Sequence, residues 1–130
     1  MRPQIIRGSV FQGQTAVIRA EVVDAQHLPI NRDLVEHIRI TLYRKGGEPD
    51  TPIQEWSPSY FDAIFDVPQT HVNDPGWTYR DRGYNFCWEV PGNYLVQVGT
   101  YQLEALIFLR DERHAYVKAD ITVEPVYSNV

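Results

Sequence analysis

Apolar and polar residues alternate with a period of two along most of this chain. In residues 15–23, TAVIRAEVV, one face carries Ala16, Ile18, Ala20 and Val22. In 37–44, HIRITLYR, Ile38, Ile40 and Leu42 oppose Arg39, Thr41 and Tyr43. Residues 100–110, TYQLEALIFLR, set Tyr101, Leu103, Ala105, Ile107 and Leu109 against Gln102, Glu104, Leu106, Phe108 and Arg110. Residues 114–123 place Ala115, Val117, Ala119, Ile121 and Val123 on one side, and 84–90 place Tyr84, Phe86, Trp88 and Val90 together. Period two puts alternate side chains on opposite faces of a strand, so each segment predicts a half-buried β-strand. IIRGSVF and DAIFDV are weaker candidates, and the two prolines of TPIQEWSPSY point to a loop or an edge strand. NRDLVEHI predicts one short turn leading into the next strand, with Asn31 or Asp33 as cap and Glu36 in the box position. The set predicts an all-β fold, an antiparallel β-sandwich of about seven strands forming a single domain over 1–130, with a small barrel as the alternative.

Two turns decide which residues meet. DER at 111–113 is short enough to close a hairpin. RDRGY at 80–84 reads as a second hairpin loop, with Gly83 as the left-handed residue of a bulge. That bend predicts Trp77 opposite Cys87, Thr78 opposite Phe86, Tyr79 opposite Asn85 and Arg80 opposite Tyr84. With Phe86 and Trp88 in the core, Trp77 and Tyr79 then face outward. Leu106, Phe108 and Tyr116 also fall on outward faces. If these strands are neighbours, Trp77, Tyr79, Leu106, Phe108 and Tyr116 form one exposed apolar strip, which marks a contact surface unless a loop covers it.

Composition narrows the partners. The chain has 130 residues, 43% of them hydrophobic, and a net charge of −5. A chain of this length buries enough surface to fold without disulfides, and its one cysteine, Cys87, permits no internal one. The twelve Lys and Arg are scattered, so no basic stripe is present to follow a phosphate backbone and no nucleic-acid partner is expected. No stretch reaches the roughly 20 apolar residues of a membrane span, and the N-terminal residues lack the apolar run of a signal peptide.

Chemistry is thin. His27, His37, His71 and His114 show neither the i, i+2 nor the i, i+4 spacing of a metal pair. Cys87 sits in mid-strand beside bulky aromatics and reads as a small packed residue rather than a nucleophile. Asp62, Asp66, Asp74 and Asp81 could hold a calcium ion, but their spacings match no calcium loop and they read first as solvated loop acids. No metal site, no cofactor and no catalytic residue is expected. Trp56, Tyr60, Trp77 and Tyr79 form an alternative ligand-binding set, since such rings could stack on sugars.

QGQTAVIRAEVVDAQHLPI resembles the opening of bacterial immunoglobulin-like domains, through Gly13, Thr15, Asp24, Pro29 and Ile30. His27 and Leu28 stand where that pattern has small turn residues. GTYQLEALI is similar to the late strand of such domains, with Tyr101 as a corner tyrosine whose hydroxyl bonds nearby backbone. The resemblance touches about a quarter of the chain and leaves 49–83 without a counterpart. It implies an immunoglobulin-like sandwich and a role as an interaction or assembly module of a bacterial surface or phage-type assembly. The expected contact is a protein partner or a second copy, giving a homo-oligomer. A carbohydrate-binding sandwich is the alternative.

Overall fold

Nine strands and two short 3-10 turns account for the regular structure of the residues described in this computed structural model, 5–23, 30–46, 51–59, 63–69, 77–78 and 84–126. In chain order they are β1 (Ile5–Phe11), β2 (Ala16–Ala20), a turn at Arg32–Leu34, β3 (Val35–Arg44), β4 (Thr51–Trp56), β5 (Ile64–Gln69), β6 (Trp77–Thr78), β7 (Tyr84–Val90), a turn at Gly92–Tyr94, β8 (Gly99–Leu109) and β9 (His114–Glu124). They form a five-stranded sheet in the order β1-β9-β8-β3-β4 and a four-stranded sheet in the order β5-β7-β2-β6.

The alternating residues become one shared core. Ile18 and Ala20 of β2 and Phe86 and Val90 of β7 are buried with Ile40 and Leu42 of β3, Leu103 and Ile107 of β8, and Ala119 and Ile121 of β9. Each fully buried Ile, Leu or Phe contributes about 1.5–3 kcal/mol relative to an exposed one, which makes this pattern the main source of stability. The weaker candidates also form strands. IIRGSVF is β1, β5 covers most of DAIFDV, and β4 is an edge strand that carries Pro52 beside a register shift, where a proline is tolerated. Asn31 caps the first turn, its Oδ1 accepting from the Leu34 amide at 3.3 Å, while Glu36 lies exposed in β3 rather than in a capping box.

Three expectations are corrected. The sheets are mixed rather than antiparallel, because β1 runs parallel to β9 and β2 parallel to β6. The strands number nine among the described residues rather than about seven. The hairpin register drawn from Gly83 does not hold either. Trp77 lies opposite Ile18 and Thr78 opposite Arg19, while Cys87 pairs with Arg19 and Phe86 with Ala20. Both edges of β7 are taken, by β2 and β5, so no edge remains for β6. A turn rule sees only sequence neighbours, and here a distant strand with an unbroken apolar face pairs first. Tyr79, Arg80 and Gly83 lie outside the described residues.

The DER hairpin closes β8 onto β9 as expected. The Leu109 amide donates to the Arg113 carbonyl at 2.9 Å, and the Glu112 amide to the Leu109 carbonyl at 3.2 Å. Glu112 has φ 69°, the left-handed conformation that glycine adopts without steric cost. Glu112→Gly is therefore expected to stabilise the chain by up to about 1 kcal/mol, relief of strain outweighing the added freedom of the unfolded chain. Thermal melts should show a rise of about 2–4 °C, and a fall would contradict the assignment of strain.

Candidate functional site

The outer face of the five-stranded sheet divides into two regions. Toward the β1 edge it is a polar lattice. Gln102 Nε2 donates to Asp120 Oδ1 at 3.0 Å, Arg7 lies 3.7 Å from Asp120, and Lys118 lies 4.0 Å from Glu104. These exposed or half-exposed pairs are worth little individually. Toward the β8–β9 hairpin the same face turns aromatic and cationic.

That second region is built row by row from strand register. His37, Phe108 and His114 share one row across β3, β8 and β9, and Arg39, Leu106 and Tyr116 share the next. His37 falls on this face by alternation with Arg39, and the β3–β8 register sets it opposite Phe108. Its imidazole stacks on Phe108 with centroids 4.1 Å apart and planes 21° from parallel. His114 meets the same ring edge-on at 4.8 Å, and the Arg39 guanidinium carbon lies 5.8 Å from its centroid. A cation at that distance is attracted by the ring quadrupole. Phe108 and Leu106 are thereby half-covered, whereas Tyr116 remains 48% exposed. Beyond His114 the hairpin is pinned by Asp111 and Arg113. The Arg113 Nε donates to Asp111 Oδ2 at 2.6 Å, and this bond holds the Asp111 carboxyl below its ordinary value.

The strip expected from the sequence is thus reached in part. Leu106, Phe108 and Tyr116 come together. Trp77 belongs to the four-stranded sheet, on the register row of Ile18 and Trp88, and so does not extend the strip. Tyr79 lies outside the described residues. His37, Arg39 and His114 complete the cluster and were not anticipated. The pairing of Phe108 with His114 follows from symmetry about the DER hairpin and was legible. The pairing of His37 with Phe108 depends on the long-range β3–β8 register, which no local signal encodes.

Of the aromatic ligand set, Trp56 turns inward from β4. Its ring meets Trp88 edge-on at 5.8 Å and Tyr94 at 5.5 Å, joining the two sheets at the margin of the core. Tyr60 lies outside the described residues, as do Asp62, Asp74 and Asp81. Cys87 is half-buried in mid-strand opposite Arg19. Among the described residues no group of three or more His, Cys, Asp or Glu is placed to hold a metal ion, and no helix is long and apolar enough to cross a membrane. No protein-family model matches the chain, and no curated protein matches it.

Proposed function

We propose that this chain is a non-catalytic immunoglobulin-like sandwich that binds a protein partner through the outer face around Phe108. The strand order supports the fold. The neighbours β9-β8-β3-β4, with β1 parallel at the edge, correspond to the larger sheet of variable-type domains, and β5-β7-β2 to the smaller one. A second support is Tyr101, near the start of β8, whose hydroxyl donates to the Gln97 carbonyl at 2.9 Å, as a corner tyrosine does. Leu103, buried two residues further on, stands where antibody domains place the second cysteine of their inter-sheet disulfide, so packing takes over that role.

The observation that carries the interaction role is the gathering of Arg39, Tyr116 and two imidazoles around Phe108. Arg and aromatic side chains dominate the energetics of protein contacts, and rigid strands hold these at low entropic cost. Peptide-display selection on the intact chain tests the reading. Selected binders should lose at least about tenfold in affinity against Arg39→Ala or Tyr116→Ala. Both variants should melt within a few degrees of the parent, since exposed substitutions shift stability by only about 0.5 kcal/mol. Binders that hold the variants as tightly as the parent would remove this face from the proposal.

A further inference from the structure

The polar groups gathered around Phe108 are mostly hydrogen-bond donors. In the rows His37–Phe108–His114 and Arg39–Leu106–Tyr116 they are two imidazoles, a guanidinium and a phenol, and among the described residues neither row holds a carboxylate. Arginine only donates, a charged imidazole donates from both nitrogens, and a phenol donates as readily as it accepts. An ionised carboxylate only accepts, which makes it the complement of this set, and its bonds to charged donors are the strong ones. His37, Arg39, His114 and Tyr116 are all exposed, so one bound segment can reach each of them.

The neighbouring elements add little negative charge at contact range. The next row holds Glu55 of β4 and Glu104 of β8, with Lys118 of β9 lying 4.0 Å from Glu104. Ser57, Pro58 and Ser59, which follow β4, are uncharged, and on the β1 side Arg7 lies by Asp120. At the hairpin Asp111 is held by Arg113, and the Arg110 Nε donates to the Asp33 carbonyl at 2.9 Å. Two exposed acids remain, Glu36 just before His37 and Glu112 two residues before His114. The net charge of −5 opposes an acidic partner at a distance. The screening length is about 8 Å at about 0.15 M salt, so the groups in contact decide.

We infer that the partner segment taken by this face is acidic, with an aspartate or glutamate seated against Arg39 and the two imidazoles, and that protons tighten its binding. This rests on the reading of the face as a contact surface. Imidazole is the side chain whose charge ordinarily changes between pH 5 and 8. In the free chain, charging both His37 and His114 sets two cations beside Arg39 around one phenyl ring, where they repel. A bound carboxylate offsets that repulsion, so the complex takes up protons and its Kd falls as pH falls. Peptide-display selection on the intact chain at about pH 6.5 supplies the probes, and fluorescence anisotropy with the selected peptides in about 150 mM NaCl measures them. Peptides whose binding is lost in Tyr116→Ala should carry aspartate or glutamate and bind at least about fivefold tighter at about pH 5.5 than at about pH 7.5. In the double variant His37→Gln with His114→Gln that ratio should fall below about twofold, while the melting temperature stays within a few degrees of the parent. Tyr116-dependent peptides that are uncharged or basic overturn the inference and leave the contact surface standing. So does a Kd that does not change with pH in the parent, or a ratio that survives in the double variant. Self-association of the parent that Tyr116→Ala abolishes would put a second copy there instead and overturns it too. A selection that returns no Tyr116-dependent peptide overturns the contact surface itself, and the inference with it.

Discussion

Gly92→Ala is expected to cost about 3–4 kcal/mol, enough to lower the melting temperature by about 10 °C or more. Gly92 is buried in the turn between β7 and β8, and a Cβ placed on it would lie 2.6 Å from the Gly13 carbonyl carbon and closer still to its oxygen. It would also lie 3.0 Å from the Gln14 carbonyl carbon. All three atoms are backbone, so no side chain can swing aside. The obstructing turn is itself anchored, by the Gly13 amide on the Leu95 carbonyl and by the Gly92 amide on Thr15 Oγ1 at 3.3 Å. Room for one methyl group therefore requires the 11–15 and 91–95 segments to part, which strains both of these bonds. Gly46→Ala is the control. Gly46 has φ 107° but nothing within 4 Å of a new Cβ, so it carries only the backbone penalty of about 1–2 kcal/mol. Chemical denaturation of both variants checks the order, and a Gly92→Ala variant as stable as the parent would contradict the close approach of the two turns.

The strands that alternate most cleanly were legible in the sequence because one physical requirement, burial of one face, writes itself directly into period two. Tyr101 through Leu109 and Val117 through Val123 lie in the core at every second residue. The two rows at the β8–β9 hairpin were legible for a related reason, since a short turn fixes register for its immediate neighbours. What failed was pairing at a distance. β2 lies between β6 and β7 although more than fifty residues separate it from either, and no turn chemistry encodes that choice. The contact cluster was half visible for the same reason. Its β8 and β9 members follow from the hairpin, whereas His37 and Arg39 arrive through β3.

Asn85 is the clearest case in which alternation misleads, and its loss should be the second large effect. Its place beside Cys87 assigns it to the outward face of β7, yet it is only 1% exposed. The backbone at Val22 and Ile30 meets it there. Asn85 Oδ1 accepts from the Val22 amide at 2.6 Å, and Nδ2 donates to the carbonyls of Val22 at 2.8 Å and Ile30 at 2.9 Å. One carboxamide thus supplies one acceptor and both of its donors to buried backbone, joining the end of β2 to the start of the segment that leads into β3. Asn85→Ala takes the side-chain partner from the Val22 N–H and the Ile30 carbonyl, leaves the Val22 carbonyl only the Ile30 amide at 3.1 Å, and is expected to cost about 3–5 kcal/mol. Asn85→Asp is sharper, because it keeps the shape but replaces two donors with an anion facing two carbonyl oxygens. Burial and those oxygens raise the folded-state pKa of the new carboxyl above its unfolded value. Its contribution to stability is then present below the unfolded pKa and lost as pH rises through the folded one. The deficit of Asn85→Asp relative to the parent should therefore be smaller near pH 4 than near pH 7, whereas that of Asn85→Ala should stay constant. Urea unfolding of the three proteins at both pH values checks this, and an aspartate variant equally destabilised at both would show that Asn85 does not donate to Val22 and Ile30.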